Sequence, residues 1–138
     1  MKPTANISIG ASAEKSITVT PDLTVAHFHD HMPEVYGTPM MIYLMEVASA
    51  AAIEDYLPEG WVSVGVGVNI QHLAATPVGF TVIAKAEVVA VGDNTVTLKV
   101  EAYDDAEKIG EGTHVRAPID MARFEKRVRE KAMKGKTD

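Results

Sequence analysis

The chain has 138 residues, no cysteine and a formal charge of −6. That length suits one domain with a real hydrophobic core, and without cysteine there are no disulfides, thiolate metal ligands or cysteine nucleophiles. The charge is uneven: residues 123–138 carry seven Lys/Arg against three acids, and the rest of the chain carries six against sixteen. So acidic a body argues against general nucleic-acid binding.

The opening stretch MKPTANISIGASAEK has no hydrophobic signal core, so export is not expected. The longest apolar run falls short of the about 20 residues that cross a bilayer. The expectation is a cytoplasmic protein without a membrane partner, with residues 1–13 as a flexible N-terminus and 14–138 as a single domain. A short strand is predicted over 16–20, where Ile17 and Val19 alternate with polar neighbours. Residues 21–38 read as irregular, with one helical turn near 23–28. Thr38-Pro39 has the form of a helix start, a capping hydroxyl followed by proline. The helix is predicted to run to about residue 56 and to stop before Pro58.

Strands follow. Val62, Val64, Val66, Val68 and Ile70 alternate with Ser63, Gly65, Gly67, Asn69 and Gln71, giving one apolar face. Pro77 and Gly79 separate this strand from the next, predicted over 80–91. Gly92-Asp93-Asn94 forms a hairpin turn into 95–103, residues 108–119 make the last strand, and 121–133 a closing helix with a solvated basic face. One strand, a long helix and a four-stranded antiparallel meander define an α+β fold. A sheet curled around one apolar helix is the hotdog arrangement. The helix is apolar almost all round and needs cover beyond one sheet face, which dimerisation supplies.

Within that helix PMMIYLMEVASAAAI carries a single charge, Glu46. An ionised carboxylate in an apolar setting costs several kcal/mol unless it is paired. Glu46 therefore has a buried partner, lines a polar cavity or is held for chemistry. His72 continues the phase of the valine row and points toward the helix. Its alternatives are a core-edge histidine bonded to a backbone carbonyl and a proton-transfer partner for Glu46. Thr38 is either a helix cap or a reactive hydroxyl. Eight residues separate it from Glu46, about 12 Å along a helix, so the two cannot touch directly from one helix. They meet through a substrate, a water or a second subunit, or else Thr38 lies in the approach loop. His27, His29 and His31 invite a metal reading, but no second ligand cluster accompanies them, and a surface or lid loop is expected. Gly65 and Gly67 mark close backbone approach.

The segments EVYGTPMMIYLMEVA, VGVGVNIQHLAATPVGFTV and IGEGTHVRAPID, in that order, resemble the fluoroacetyl-CoA thioesterase-like family of hotdog acyl-CoA thioesterases over roughly residues 14–130. The resemblance implies that Thr38, Glu46 and His72 occupy catalytic positions and that Gly65 and Arg116 line the thioester site, with Met32 and Tyr36 in the substrate-facing lid. It also implies hydrolysis of an acyl-CoA to an acid and CoA, with Glu46 as nucleophile or as base for a water. No metal or cofactor is implied beyond the CoA of the substrate, and the acyl site lies near a homodimer interface, with a higher oligomer left open. The resemblance departs in residues 25–36, where the fluoroacetyl-specific enzyme has a phenylalanine-lined gate. This chain has His27, Phe28, His29, His31, Met32 and Tyr36 there, which points to a broader short-chain acyl-CoA substrate. The competing reading is a hotdog dimer that binds acyl-CoA or another small ligand without turnover. A hotdog hydratase is disfavoured because no Asp-x4-His pair opens the helix.

Overall fold

A computed structural model of the chain describes residues 2–136. Its elements in chain order are β1 (Ser12–Thr18), a 3-10 turn (Pro21–Leu23), α1 (Val25–Phe28) and α2 (Thr38–Ile53). A second 3-10 turn (Glu54–Tyr56) follows, then β2 (Trp61–His72), β3 (Thr81–Val91), β4 (Val96–Tyr103), β5 (Lys108–Asp120) and α3 (Met121–Gly135). All five strands form one antiparallel sheet, in the order β1-β3-β4-β5-β2, curled around α2. This is the α+β hotdog arrangement that the sequence predicts.

The alternation in β3 and β4 explains the core. Val82, Ala84, Ala86 and Val88, with Leu98, Val100 and Ala102, are all buried on one face. They pack against Met41, Leu44, Met45, Ala48, Ala52 and Ile53 of α2. Alanines on both sides let helix and sheet approach closely, and α2 leans chiefly on β1 and β3. At Gly110 of β5 the approach is closer still. A Cβ there would lie 2.5 Å from Met41 Sδ and 3.2 Å from Met45 Cε.

Two expectations are corrected. The meander has three strands, not four. β2 pairs with β5 at the far edge, and residues 73–80 carry the chain across to β3. Eight residues are too many for a tight hairpin, and bonds from Tyr36 N to Thr76 O (2.8 Å) and from Gly79 N to Val19 O (2.8 Å) fix the crossing. Second, the strict alternation of β2 does not survive folding. A β-bulge between Gly65 and Gly67 shifts its register, which swaps the faces. Ser63 and Gly65 face α2 before the bulge, Val68, Ile70 and His72 after it, while Val62 and Val64 point the other way. Two residues of the N-terminal stretch also contact the body of the fold. Ile7 is buried in the core, and Thr4 is buried with its hydroxyl donating to Gly92 O at 2.7 Å.

Because α2 covers β1 and β3 best, the β2 edge is left open. Val66 and Val68 are 57% and 50% exposed, on a strand whose outer edge has no partner among the described residues. On the outer face of α2, Tyr43 is also exposed.

Gly110→Ala tests the closest packing. Repacking two buried methionines around the added methyl is expected to cost about 1–3 kcal/mol. It should lower the urea midpoint at unchanged m-value, and an unchanged midpoint would show that α2 is not held this closely.

Candidate active site

The first turn of α2 places Thr38. The cap residue is Gly37, and no side chain caps the helix, so Thr38 occupies the first helical position and the expected capping role is corrected. Its hydroxyl is spent elsewhere, on His72 Nδ1 at 2.8 Å. His72 ends β2 with its ring toward the helix start. Its Nε2 is buried with no hydrogen-bond partner among the described residues. Burial holds the imidazole below the usual histidine range, against an opposing contribution from the Ala74 backbone. Thr38 and His72 face a cleft of about 370 Å³ walled by Val25, Val35, Tyr36 and Leu73.

Two turns along α2, Glu46 reaches a second cluster. One of its carboxylate oxygens lies 3.6 Å from Arg116 Nη1 and 3.9 Å from His114 Nε2. The partner that its apolar setting demands is thus an arginine on β5. The Glu46 side chain is still 36% exposed, against 8% for that of Arg116. Gly65, which pairs with Arg116 across the sheet, lies beneath the carboxylate. A Cβ at Gly65 would stand 2.7 Å from Glu46 Oε2 and 2.9 Å from His114 Cε1, so only glycine lets the strand pass here. Gly67, beyond the bulge, lies instead against Val115.

Arg116 is held from three directions. Nε donates to Ser63 Oγ (2.9 Å), Nη2 to Ser63 O (2.8 Å) and Nη1 to His114 Nε2 (3.1 Å). Ser63 and His114 are contributors that the sequence reading did not single out. For His114 the signal was present: it stands two residues from Arg116 on a strand, so both must point to one face.

The predicted site residues therefore form two groups within the chain. Thr38 meets His72, and Glu46 meets Gly65, Arg116 and His114. His72 faces α2 as expected, but its contact is Thr38, not Glu46. Tyr36 forms a wall rather than an open contact. It is buried, its hydroxyl donates to Met40 O at 3.1 Å, and burial pushes its pKa up to about 12. Met32 is exposed in the loop before it. His27 and Phe28 lie on α1 with their rings edge to face. Among the described residues, no group of three or more His, Asp or Glu side chains is placed to hold a metal ion, and no helix is long and apolar enough to cross a membrane.

Solved structures share this architecture. A hypothetical protein of Thermus thermophilus, described as a thioesterase superfamily member, superposes with a TM-score of 0.90 at 29% identity, covering 97% of this chain and 99% of its own. Fold and sequence likeness together define a hotdog-fold thioester hydrolase. A fluoroacetyl-CoA thioesterase structure superposes with a TM-score of 0.85 at 36% identity, covering 90% of this chain and 96% of its own. The fluoroacetyl-CoA thioesterase of Streptantibioticus cattleyicolor is 36% identical over 133 residues, which is 92% of this chain and 96% of that protein. Residues 19–122 match the fluoroacetyl-CoA-specific thioesterase family, and the chain belongs to that family.

The buried imidazole of His114 and the half-buried one of His72 predict a pH dependence of stability. His114, like His72, is held below the ordinary value of 6.5 by burial. The Gly67 carbonyl and Glu46 oppose this, and Arg116 reinforces it. The unfolded chain then takes up protons at higher pH than the native one. Stability should be fully present above about pH 6.5 and fall as the pH drops through that value. Thermal melts from pH 8 to 5 check this, and a melting temperature flat to pH 5 would contradict it.

Proposed function

We propose that this protein hydrolyses short-chain acyl-CoA thioesters to the carboxylic acid and CoA, using Glu46, His72 and Thr38. The observation that carries the reading is the state of Glu46. It projects from an otherwise uncharged helix within reach of a buried arginine, yet remains open enough for a substrate to approach. A thioester carbonyl needs an attacking group, a proton manager and charge stabilisation for the developing oxyanion. Glu46 serves as nucleophile or as base for a water. His72 exchanges the proton that the leaving thiolate takes up, and Thr38 holds that imidazole through Nδ1. Arg116 supplies fixed positive charge over Gly65. The reading needs no metal, and CoA enters only as part of the substrate.

Within one protomer the two groups stand about 12 Å apart along α2, too far for one carbonyl. The open edge of β2 supports a homodimer that joins them. In a two-fold antiparallel pairing centred near Val68 and Asn69, Gly65 lies opposite the partner subunit's His72. Each site then takes Glu46 from one protomer and Thr38 with His72 from the other. The short-chain assignment rests on the lid, where His27, His29, His31 and Met32 precede the buried Tyr36. The related enzyme's name specifies fluoroacetyl-CoA; here a broader range of small acyl groups is proposed. A cytoplasmic location is proposed with it, to match the CoA thioester substrate.

Thiol release over a panel of acyl-CoAs tests the activity. Glu46→Gln and His72→Ala are each expected to lower kcat/KM by at least about 10²-fold. Near-wild-type turnover in both would reject the site, and CoA-dependent thermal stabilisation without thiol release would mark a binder instead.

Mixing tests the shared site. Neither variant is active alone, but after subunit exchange an equal mixture of Glu46→Gln and His72→Ala should recover roughly a quarter of wild-type activity. Half the two-fold dimers are then mixed, each with one intact site. No recovery despite exchange would place each site within one chain.

A further inference from the structure

His114 is almost completely buried, at 1% exposure, and both of its ring nitrogens meet groups of fixed polarity. Nδ1 lies 2.8 Å from the Gly67 carbonyl oxygen, which can only accept. Nε2 lies 3.1 Å from Arg116 Nη1, which can only donate. One protonation state satisfies both, the neutral imidazole with its proton on Nδ1. An imidazolium would set an N–H against the guanidinium N–H inside the protein. The charged groups that face the ring are Arg116 on its own strand and Glu46 from α2. Ser63, Gly65 and Gly67 of β2 carry none.

The bond to His114 also decides what Arg116 does to Glu46. An arginine beside a carboxylate ordinarily closes into a bidentate pair at about 2.7–2.9 Å. Here Nε and Nη2 are tied to Ser63 and Nη1 to His114, and the nearest approach to Glu46 is 3.6 Å. The guanidinium charge is present at the site, but the carboxylate is not clasped.

We infer that neutral His114 is a positioning residue for the hydrolysis: as an acceptor for Arg116 Nη1 it keeps Glu46 from being locked in a closed ion pair. Glu46 thereby stays free to attack the thioester or to activate a water. When His114 takes up a proton the acceptor is lost and Arg116 is displaced, so turnover falls on the acid side. The inference rests on the reading of Glu46 as the catalytic carboxylate.

Two variants of His114 separate positioning from simple support of the fold. His114→Leu removes the acceptor and should lower kcat by about tenfold or more with KM changed less than about threefold. In His114→Gln the amide can donate to Gly67 O and accept from Arg116, but it does not titrate. It should recover most of the lost kcat at pH 8, and its acid limb of kcat/KM should move to lower pH than that of wild type. Adding Arg116→Gln to His114→Leu should cost much less than the product of the single effects, because one residue acts through the other.

The inference is overturned if His114→Leu keeps kcat within twofold, if the two single effects multiply, or if His114→Gln has the wild-type pH profile. The Gln profile decides alone should the Leu variant fail to fold. Active Glu46→Gln would overturn the reading beneath it; inactive Glu46→Gln with fully active His114→Leu would overturn this inference only.

Discussion

The arrangement of the site depends on one constraint, the burial of Arg116. An arginine 7% exposed must have its donors satisfied and its charge balanced, or it costs several kcal/mol. Each neighbouring feature answers part of that demand. Ser63 takes two donors through its hydroxyl and its carbonyl, and His114 takes a third. Glu46 supplies the opposing charge from α2. Gly65 has no side chain because one would strike both Glu46 and His114. The bulge between Gly65 and Gly67 follows from the same packing. It turns Ser63 and Gly65 toward the helix while keeping Ile70 and His72 on that face further along, and its Gly67 carbonyl accepts the hydrogen bond of His114 Nδ1.

The helix sets the second constraint. At 1.5 Å per residue, Thr38 and Glu46 are fixed about 12 Å apart, and the sheet repeats the separation, since Gly65 and His72 stand about 20 Å apart on β2. A single protomer therefore presents two half-sites, each well formed. The strand that carries both is an open edge with exposed valines, which is a liability for an isolated chain. It is also the place where the proposed two-fold partner would bring the halves together. On this reading the edge that demands a partner and the chemistry that demands a second half-site are met by one contact.

The elements were legible because their periodicities are strong. The apolar run of α2, the Gly92-Asp93-Asn94 turn and the alternation in β3 and β4 give boundaries within a few residues of those observed. What failed was non-local. The valine row of β2 alternates without a break, and nothing within it announces a bulge whose cause is the packing of Gly65 beneath Glu46. Thr38 before Pro39 reads as a cap because capping is a local property, whereas its bond to His72 spans 34 positions. Ile7 and Thr4 lie in a sparse polar stretch, and only tertiary contacts with the sheet reveal their burial. Glu46 was legible as an anomaly and its partner was not, since pairing Glu46 with Arg116 requires the β2–β5 register.

The same division separates chemistry from selectivity. Every group proposed to act on the thioester stands on α2, β2 or β5, where the core and the sheet ladder fix it. The segment proposed to face the acyl group is built differently. Residues 25–36 are tied down at their base by the bridges of Tyr36 to Thr24 and of Val35 to Pro77, and Tyr36 is buried. Between these anchors Phe28 and Met32 are exposed, and His31 holds a positive φ of 68°. A loop tip of this kind accepts substitution at little cost to the fold. Relatives with one catalytic scaffold can thus differ in this segment, and the broader acyl range proposed for this chain rests on residues whose replacement costs the core least.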